Sequence, residues 1–503
     1  MAKYLLRLGE ITTKSDQTRR HFLARLISNL KTSFLKEGVR DFKIENQWSR
    51  IFVETGNPKA PEIFSTTFGL ISFSEVHEIE FKNLDNIVKF GENFFQENVG
   101  GKTFAVRAHT TASTLHSKEI EEALGAVLKH YSKKVNLENP GFTAYVEVRG
   151  KKAYFFNEKM PTHGGLPLGS EGKVLSLISG GFDSAVASYL MMKRGCEVDF
   201  LFFNLGGAEH LRGVYEVSKF LQERWERPYQ ARLFVLDFSA VLQNIYENIG
   251  QEYWNIILKR FMFLGAETIN KELGYEGFAT GSSIGQVSSQ TLRNFGITTH
   301  NLNAPHFHPL LGFDKTEIIK LAQNIGSYPL SEHVKEFCAI TPKHPATHAD
   351  LEVVLKEENQ ISKSILEKVI AERKIYTLPS IELENILNLP PSAIAPGARK
   401  NYKNHIPDSG NGKLNPENRI ILDLRLDETR KKEPIAGAIS LDLWEVFRDF
   451  SNLGVAANRP PSEVKLDKNK KYLAVCEEGI KSHYATAFLR AQGYDVENLK
   501  GGY

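Results

Sequence analysis

The spacing of apolar residues near the amino terminus is typical of a small α+β unit. An apolar segment at Lys3–Leu8 predicts a strand. It precedes a stretch in which apolar residues recur three or four positions apart, which predicts a helix with Ser15 or Asp16 as its cap. The residues that set this period are Phe22, Leu23, Leu26, Ile27, Leu30 and Phe34. Two further strands are predicted at Phe42–Trp48 and Arg50–Val53.

A second α+β unit is predicted directly afterwards. A strand is expected at Thr103–Ala108 and a helix from about Ser117 to His130. A hairpin follows, in which Val146–Val148 and Ala153–Phe156 flank the turn Arg149–Lys152.

From Val174 onwards strands and helices alternate. Strands are predicted at Val174–Ile178, Asp199–Asn204, Arg232–Asp237 and Gly277–Thr280, and helices at Ser184–Lys193, near Glu216–Glu223 and at Gln251–Lys271. This alternation predicts a parallel α/β sheet, whose ligand site lies at the carboxyl ends of the strands.

The segment 389–416, rich in Pro, Gly and Asn, has the composition of a linker. After it, a small α/β domain is predicted from segments at Arg419–Leu424, Leu441–Phe447, Lys471–Val475 and Lys481–Gln492. The predicted domain boundaries are therefore 1–56, 57–165, 166–388, the linker 389–416, and 417–503.

Composition changes this picture only locally. The 503 residues carry a net charge of +3, but the first sixty hold 12 Lys and Arg against 6 Asp and Glu. A basic amino-terminal unit is a candidate phosphate-binding surface, and the first helix carries Arg19, Arg20, Arg25 and Lys31. No apolar run has the length of a signal peptide or a membrane span, so the sequence predicts a cytoplasmic protein with no membrane partner.

The sequence ISGGFDSA, directly after the strand Val174–Ile178, is a candidate phosphate-binding loop. Gly180 and Gly181 allow backbone N–H groups to approach an anion, and Ser184 opens the following helix. No lysine follows as it would in a Walker loop, and a nest of N–H groups binds phosphate without one. The carboxylate of Asp183 would repel bare phosphate and suits phosphate that carries Mg²⁺.

Two later stretches are expected at the same site. Residues 280–291, TGSSIGQVSSQT, follow a strand and offer Gln286 and Gln290 as hydrogen-bonding groups for a base. Lys315 begins a predicted helix and is placed to stabilise charge that develops on phosphates.

The chain has three cysteines, too few for a secreted disulfide framework. Cys476 lies between a predicted strand and a predicted helix, where backbone N–H groups favour a thiolate. Cys338 lies in EFCAITPKHP, after the alternating domain's last recognisable helix, and Cys196 is expected to be packed.

These motifs together resemble the tRNA 4-thiouridine synthases of the ThiI type. The resemblance rests on GGLPLG (164–169), SLISGGFDS, FFNLGG (202–207), LKR (258–260), TGSSIGQVSSQT, DK (314–315) and EFCAI (336–340). It implies an α/β multidomain chain: an α+β ferredoxin-like unit, an RNA-binding THUMP domain, a PP-loop ATP pyrophosphatase domain with a parallel sheet, and a rhodanese-like domain.

The resemblance also implies a reaction. ATP would adenylate O4 of uridine 8 in tRNA, and a persulfide sulfur on Cys476 would then replace the adenylate. By match to the motifs, Asp183 and Lys315 would serve adenylation, and Cys338 would resolve the sulfur bridge through a disulfide with Cys476. The residues expected to contact ATP are Leu177, Ile178, Ser179, Gly180, Gly181, Ser184, Lys259, Gly281 and Gln290.

The implied cosubstrate is ATP with its Mg²⁺, and no resident metal is implied. The implied partners are tRNA, a cysteine desulfurase as sulfur donor, a cellular reductant and a second copy of the chain in a homodimer. A sulfur carrier protein of thiazole synthesis is a further candidate partner.

Three alternatives stay open at this point. The chain could be another PP-loop tRNA thiolase, a non-catalytic sulfur-relay protein that binds tRNA, or a sulfur donor for thiazole synthesis alone. The fused THUMP-like and rhodanese-like segments argue against the first, and the presence of all four candidate catalytic residues argues against the second.

Overall fold

The computed structural model of the chain describes residues 1–111, 115–205, 207–334, 345–387, 419–425, 427–441, 466–476, 482, 485–486, 489–490 and 493–499. It divides into two compact units, Met1–Pro391 and Ser392–Tyr503. The linker predicted at 389–416 lies outside the described residues. In the described part of the chain, no helix combines the length and the apolar character that a membrane crossing requires.

The first sheet of unit 1 has nine strands in the order β2-β3-β1-β4-β8-β7-β5-β6, with β9 paired to β4. The strands are β1 Ala2–Leu8, β2 Phe42–Asn46, β3 Arg50–Thr55, β4 Leu70–Glu80, β5 Thr103–Thr110, β6 Lys134–Val135, β7 Phe142–Arg149, β8 Lys152–Phe156 and β9 Met160–Pro161. The accompanying helices are α1 Asp16–Lys36, α2 Ala60–Ser65, α3 Leu84–Val99 and α4 Ser117–Leu128.

Strand β4 joins the two predicted α+β units into one sheet. Its first part pairs antiparallel with β1, and its last residues pair with β8. Helix α1 buries Phe22, Leu26 and Leu30 against one core, whereas α3 and α4 cover a second core around Phe104 and Phe155. Neither β4 nor α3 was predicted from the sequence.

The second sheet has six strands in the order β14-β13-β10-β11-β12-β15, all parallel to their neighbours except β15. Its strands are β10 Lys173–Leu177, β11 Glu197–Asn204, β12 Arg232–Asp237, β13 Gly277–Ala279, β14 His306–Phe307 and β15 Lys374–Thr377. Its helices are α5 Phe182–Lys193, α6 Gly207–Trp225, α7 Ser239–Asn248, α8 Trp254–Leu273, α9 Leu292–Thr298, α10 Lys315–Ile325, α11 Tyr328–Ser331, α12 Leu351–Glu358, α13 Lys363–Ala371 and α14 Ile381–Leu387.

The parallel sheet predicted from Val174 onwards is therefore confirmed. Its central strands are buried on both faces, because separate apolar cores pack on either side. This covering by helices leaves the carboxyl ends of β10 and β13 as the accessible edge of the sheet, where the candidate phosphate loop lies.

The described residues of unit 2 form a four-stranded parallel sheet in the order β17-β16-β18-β19. Its elements are β16 Ile420–Asp423, α15 Asp427–Lys432, β17 Ile439–Ser440, β18 Lys471–Val475 and β19 Asp495–Asn498. The strands predicted at Arg419–Leu424 and Lys471–Val475 are confirmed. The segment predicted at Leu441–Phe447 lies outside the described residues after Leu441.

Candidate active site

The candidate phosphate loop connects β10 to the first turn of α5. Gly180 has a φ of +82°, and a Cβ there would lie 2.8 Å from the side chain of Val334, so the loop accepts only glycine at this position. Ser184 accepts a hydrogen bond from the Ser179 N–H at 3.1 Å and donates one to the Gly181 carbonyl at 3.0 Å. This internal bonding shapes the loop around the amino terminus of α5, which favours an anion.

Leu177 ends β10 and is half-buried, whereas Ile178 is buried and donates its N–H to the Leu201 carbonyl at 2.9 Å. Both residues anchor the start of the loop to the sheet. Ser179 is exposed at the sheet edge.

Asp183 and Lys315 form an ion pair at the mouth of the loop. The Lys315 ammonium lies 2.9 Å from Oδ1 and 3.0 Å from Oδ2 of Asp183, and Gln286 donates to Oδ2 at 3.1 Å. Lys315 is the first residue of α10, which Asp314 caps by accepting the Glu317 N–H at 2.9 Å. The structure thus brings together two residues that are 132 positions apart in the sequence.

Gly281 fixes the distance between the end of β13 and the phosphate loop. A Cβ at this position would lie 2.6 Å from the carbonyl carbon of Asp183 and 2.8 Å from the backbone nitrogen of Ser184. Only a glycine permits this approach of two backbones, so Gly281 belongs to the same site by contact.

Lys259 projects from α8 and donates to Ser282 Oγ at 3.0 Å, and burial lowers its pKa to about 8. Gln290 contacts the loop at 280–291 itself, and its predicted contact with ATP stays a prediction. Its Oε1 accepts the Ser283 N–H at 3.3 Å, so this amide supports the loop at 280–291. Among the described residues no group of three or more His, Cys, Asp or Glu could hold a metal ion.

Two histidines at this edge of the sheet were missed in the sequence. His210 on α6 places Nε2 3.2 Å from the Ser179 carbonyl, and burial lowers its pKa. His308 follows β14, and burial together with the neighbouring charges of His306 and Lys259 lowers its pKa to about 4. The position of His308 directly after a strand of the parallel sheet was the signal that could have identified it.

Cys476 directly follows β18 and is 1% exposed. Its Sγ accepts the Ser482 N–H at 3.4 Å and lies 3.3 Å from Ser482 Oγ. In the same sheet, Asp423 ends β16 and binds both Nε and Nη2 of the buried Arg425, at 2.9 and 2.8 Å. Cys338, the second predicted functional cysteine, lies outside the described residues. Cys196 is buried, as predicted.

The predicted RNA contact along α1 is wrong for the buried Arg19, and for Arg20, Arg25 and Lys31 it stays a prediction. Arg19 is buried and donates to the Trp48 carbonyl at 2.9 Å, and Arg25 donates to the Gly169 carbonyl at 2.9 Å. Both are engaged in packing within unit 1. Arg20 and Lys31 are exposed.

Comparison with known proteins identifies all four domains in the predicted order. The family profiles that match are the ThiI ferredoxin-like domain at residues 3–74, the THUMP domain at 81–158, the thiamine biosynthesis protein ThiI at 169–362 and the rhodanese-like domain at 405–503. The chain is 33% identical over 507 residues to the tRNA sulfurtransferase of Desulfurococcus amylolyticus, covering 100% of this chain and 98% of that protein.

The chain belongs to the tRNA sulfurtransferase family. A second member, from Pyrobaculum aerophilum, is 33% identical over 503 residues and covers 99% of this chain and 97% of its own. Among solved structures, a 4-thiouridine synthetase in complex with RNA and bound ATP is 28% identical, with a TM-score of 0.65. It covers 75% of this chain and 99% of its own, and the predicted fold class is confirmed.

Proposed function

We propose that this tRNA sulfurtransferase uses ATP to form 4-thiouridine at uridine 8 of tRNA. The observation that carries the proposal is the Asp183–Lys315 pair at the mouth of a lysine-free phosphate loop. It occurs in a chain similar over its whole length to tRNA sulfurtransferases, and the similar 4-thiouridine synthetase binds RNA and ATP.

The first step activates the uridine. The loop at 178–181 and the amino terminus of α5 bind the departing pyrophosphate through backbone N–H groups. O4 of the uridine bonds to the α-phosphorus, the bond from that phosphorus to the bridging oxygen of pyrophosphate breaks, and the N3 proton is released. The C4 oxygen alone is a poor leaving group. After adenylation it leaves as part of AMP, which is a good leaving group.

In the bound state Lys315 exchanges its contact with Asp183 for the phosphates, where it stabilises the developing charge. Asp183, once released, would hold the Mg²⁺ that arrives with ATP, because its carboxylate lies at the mouth of the loop. Lys259 carries no carboxylate partner among the described residues, so a second phosphate oxygen supplies its missing countercharge.

The second step delivers sulfur. A cysteine desulfurase loads Cys476 with a terminal sulfur, and this sulfur attacks C4 while AMP leaves. The Cys338 thiolate then attacks Sγ of Cys476, which releases 4-thiouridine and leaves a Cys338–Cys476 disulfide. A cellular reductant reopens the disulfide, as in other transient catalytic disulfides of the cytosol. A cytoplasmic location and a homodimer stay predictions.

The test is mass spectrometry of tRNA incubated with the full chain, MgATP, cysteine and a cysteine desulfurase. We expect 4-thiouridine at position 8 and one AMP per modified base. Asp183→Asn should abolish tRNA-dependent pyrophosphate release, whereas Cys476→Ser and Cys338→Ser should retain it and lose multiple-turnover thiolation. Cys196→Ser is the matched control, because this thiol is packed in the core. Thiolation at the wild-type rate by either Cys476→Ser or Cys338→Ser would contradict the sulfur relay.

A second activity, sulfur delivery for thiazole synthesis, is favoured by the description of the family profile that matches residues 169–362 as a thiamine biosynthesis protein. This activity would require the loaded Cys476 and no adenylation by this chain, because the carrier protein would arrive with its carboxyl group already adenylated by a separate enzyme and would lose AMP as the sulfur attacks. We therefore expect Asp183→Asn to keep sulfur transfer to a thiocarboxylate-forming carrier protein and Cys476→Ser to lose it. Equal loss in both variants would contradict a separate route.

A further inference from the structure

The hydrogen bonds inside the phosphate loop use some of its backbone groups and leave two donors for a ligand. The Ser179 N–H donates to Ser184 Oγ, and the Gly181 carbonyl accepts from Ser184 Oγ and from the Ala185 N–H. Within the described part of the chain, no group accepts a hydrogen bond from the N–H of Gly180 or Gly181. These two N–H groups are therefore available to a phosphate oxygen.

The direction of the Gly180 N–H depends on one peptide plane. Because a peptide bond is planar and trans, this N–H points opposite to the Ser179 carbonyl. Turning the plane by half a turn would exchange the two groups and would carry φ of Gly180 from +82° to about −98°. Glycine populates both regions about equally readily, so it permits the observed conformation without selecting it. A second group must hold the plane, since the turned plane would present a carbonyl oxygen to a phosphate.

His210 on α6 holds this plane. Its Nε2 lies 3.2 Å from the Ser179 carbonyl oxygen, and because a carbonyl can only accept, the imidazole donates. The ring is buried and lies edge-on to the Phe202 ring, with the ring centroids 4.7 Å apart. Burial lowers the pKa of His210 despite its bond to Ser179, so the ring is the neutral tautomer that carries its proton on Nε2.

The same face of α6 contacts the loop at a second position. His210, Gly213 and Val214 are three and four residues apart, which is the spacing of one helix face. A Cβ on Gly180 would lie 3.3 Å from Cγ2 of Val214 and 2.8 Å from Cγ1 of Val334. A Cβ on Gly213 would lie 2.8 Å from Cγ2 of Val334. The loop therefore packs against α6 beside its hydrogen bond, which fixes the distance between Ser179 and the histidine.

The packing of α6 alone does not require a histidine at position 210. The helix is held against the sheet by buried apolar side chains, among them Val214, Val217 and Leu221. An apolar side chain at position 210 would pack against Phe202 as well, and it would avoid the cost of burying a polar ring. What an apolar side chain cannot do is donate to the Ser179 carbonyl, so the hydrogen bond is the property specific to His210.

We propose that His210 is a positioning residue of the ATP site, which selects the peptide orientation in which the Gly180 N–H faces the β- and γ-phosphates. The inference deepens the proposed function and rests on it for the identity of the ligand as ATP. His210 acts through the peptide between Ser179 and Gly180 and not by contact with the substrate. Its effect is therefore confined to the pyrophosphate part of ATP, which is the part that the loop at 178–181 binds.

The test measures binding of MgATP and pyrophosphate to the full chain by isothermal titration calorimetry, and binding of AMP by displacement of MgATP. We expect His210→Met to weaken MgATP and pyrophosphate by about twofold to about twelvefold, the population ratio that one ordinary hydrogen bond maintains. AMP lacks the two phosphates that the loop binds, so its affinity should stay as in the wild type. A purely structural role of His210 would weaken all three ligands together and would overturn the proposal.

Rescue by a matched variant distinguishes the hydrogen bond from the volume of the ring. Nε2 of glutamine is the same number of bonds from Cα as Nε2 of histidine, so His210→Gln can still donate to the carbonyl. Methionine has nearly the same length and no donor. His210→Gln should therefore retain most of the wild-type affinity for MgATP that His210→Met loses. Equal affinities in these two variants would also overturn the proposal.

A control variant separates the loop from the helix that carries His210. Ser218→Ala removes a buried hydroxyl that donates to the Val214 carbonyl at 2.8 Å within α6, and this variant should bind MgATP as the wild type does. Thermal unfolding shows which variants fold. Should His210→Met fail to fold, His210→Asn replaces it, because the asparagine amide is one bond shorter and stops short of the Ser179 carbonyl.

The outcome is separable from that of the proposed function. If MgATP binding depends on His210 as expected and no 4-thiouridine forms, the positioning role is supported and the proposed reaction is contradicted. If the wild type thiolates tRNA and His210→Met binds MgATP and pyrophosphate as the wild type does, the positioning role alone is contradicted. A wild-type chain that binds neither MgATP nor pyrophosphate would contradict both.

Discussion

Replacement of Gly281 by alanine should separate two parts of the candidate active site that are now in backbone contact. The added Cβ would lie 2.6 Å from the carbonyl carbon of Asp183, whereas ordinary contacts begin near 3.4 Å. The end of β13 and the first turn of α5 must therefore move apart by about 0.8 Å, the difference between these distances. Because both contacting groups are backbone, no side chain can rotate away to relieve the overlap.

The magnitude follows from the cost of overpacking and of misplaced catalytic groups. Forced backbone shifts in a packed site cost about 1–3 kcal/mol, which lowers Tm by about 2–4 °C per kcal/mol in a domain of this size. A displacement near 1 Å can also reduce a rate by about 100-fold. We expect Gly281→Ala to show both effects, because the shift moves Asp183 relative to the loop at 280–291.

The assay combines thermal unfolding with the initial rate of tRNA-dependent AMP release. Gly296→Ala is the matched control: this glycine lies in α9 of the same domain, and a Cβ there meets nothing within 4 Å. Alanine in a helix is about 0.5–1 kcal/mol more favourable than glycine, so the control should be at least as stable as the wild type. A Gly281→Ala protein with unchanged Tm and unchanged AMP release would refute the close approach on which this reasoning depends.

Three further predictions concern charged groups of unit 1. Lys315→Gln should abolish AMP release. It should change the free energy of unfolding by less than about 1 kcal/mol, because the ion pair of Lys315 with Asp183 is partly exposed. A large loss of stability would contradict a catalytic role. Burial raises the pKa of Glu226 well above its usual range, so wild-type stability should fall as pH rises from the ordinary glutamate pKa towards the raised one. Glu226→Gln should remove this loss, so the Tm of the variant relative to that of the wild type should be higher at pH 9 than at pH 5. The exposed Glu122→Gln is the control. Parallel profiles of Tm against pH for Glu226→Gln and the wild type would contradict the prediction. Arg25→Ala should lower Tm, because Arg25 donates to the Gly169 carbonyl, and should leave the affinity for fluorescently labelled tRNA, measured by anisotropy, unchanged. Weakened binding at unchanged Tm would support the RNA contact predicted on α1.

The parallel sheet and the phosphate loop could be predicted because their signals are local. Strands buried on both faces, such as β10 and β11, are mostly apolar, and the loop's glycines lie shortly after one of them. Strand β4 gave no such signal. It pairs with β1 over one part and β8 over another, with an irregularity in register, so its polar and apolar residues do not alternate regularly.

The roles of individual polar residues were harder to predict, because they depend on partners that are distant in sequence. Arg19 and Arg25 fit an exposed basic helix face by spacing alone, but their acceptors are carbonyls 29 and 144 residues away. His210 reaches the phosphate loop from α6, and nothing in its neighbouring sequence indicates this. For the site itself, motif spacing identified Asp183 and Lys315, and the structure adds that they are paired.

The two steps of the proposed reaction require different properties of the protein: adenylation needs fixed distances, and sulfur delivery needs an accessible thiol. The residues proposed for adenylation lie in unit 1, and Cys476 lies in unit 2. Adenylation requires a fixed distance between the RNA contact and the phosphate loop. Within unit 1, Asn29 on α1 donates to the Leu168 carbonyl at 2.9 Å, and Arg194, directly after α5, pairs with Glu10 at 2.8 Å, so the ferredoxin-like half is held against the PP-loop domain. Sulfur delivery instead requires a thiol that meets a donor protein and then the activated base. Cys476 lies in unit 2 and is almost fully buried there, so the thiol must become exposed before it is loaded. Exposure of Cys476, measured as its rate of alkylation, should therefore limit sulfur loading without affecting pyrophosphate release in the adenylation step.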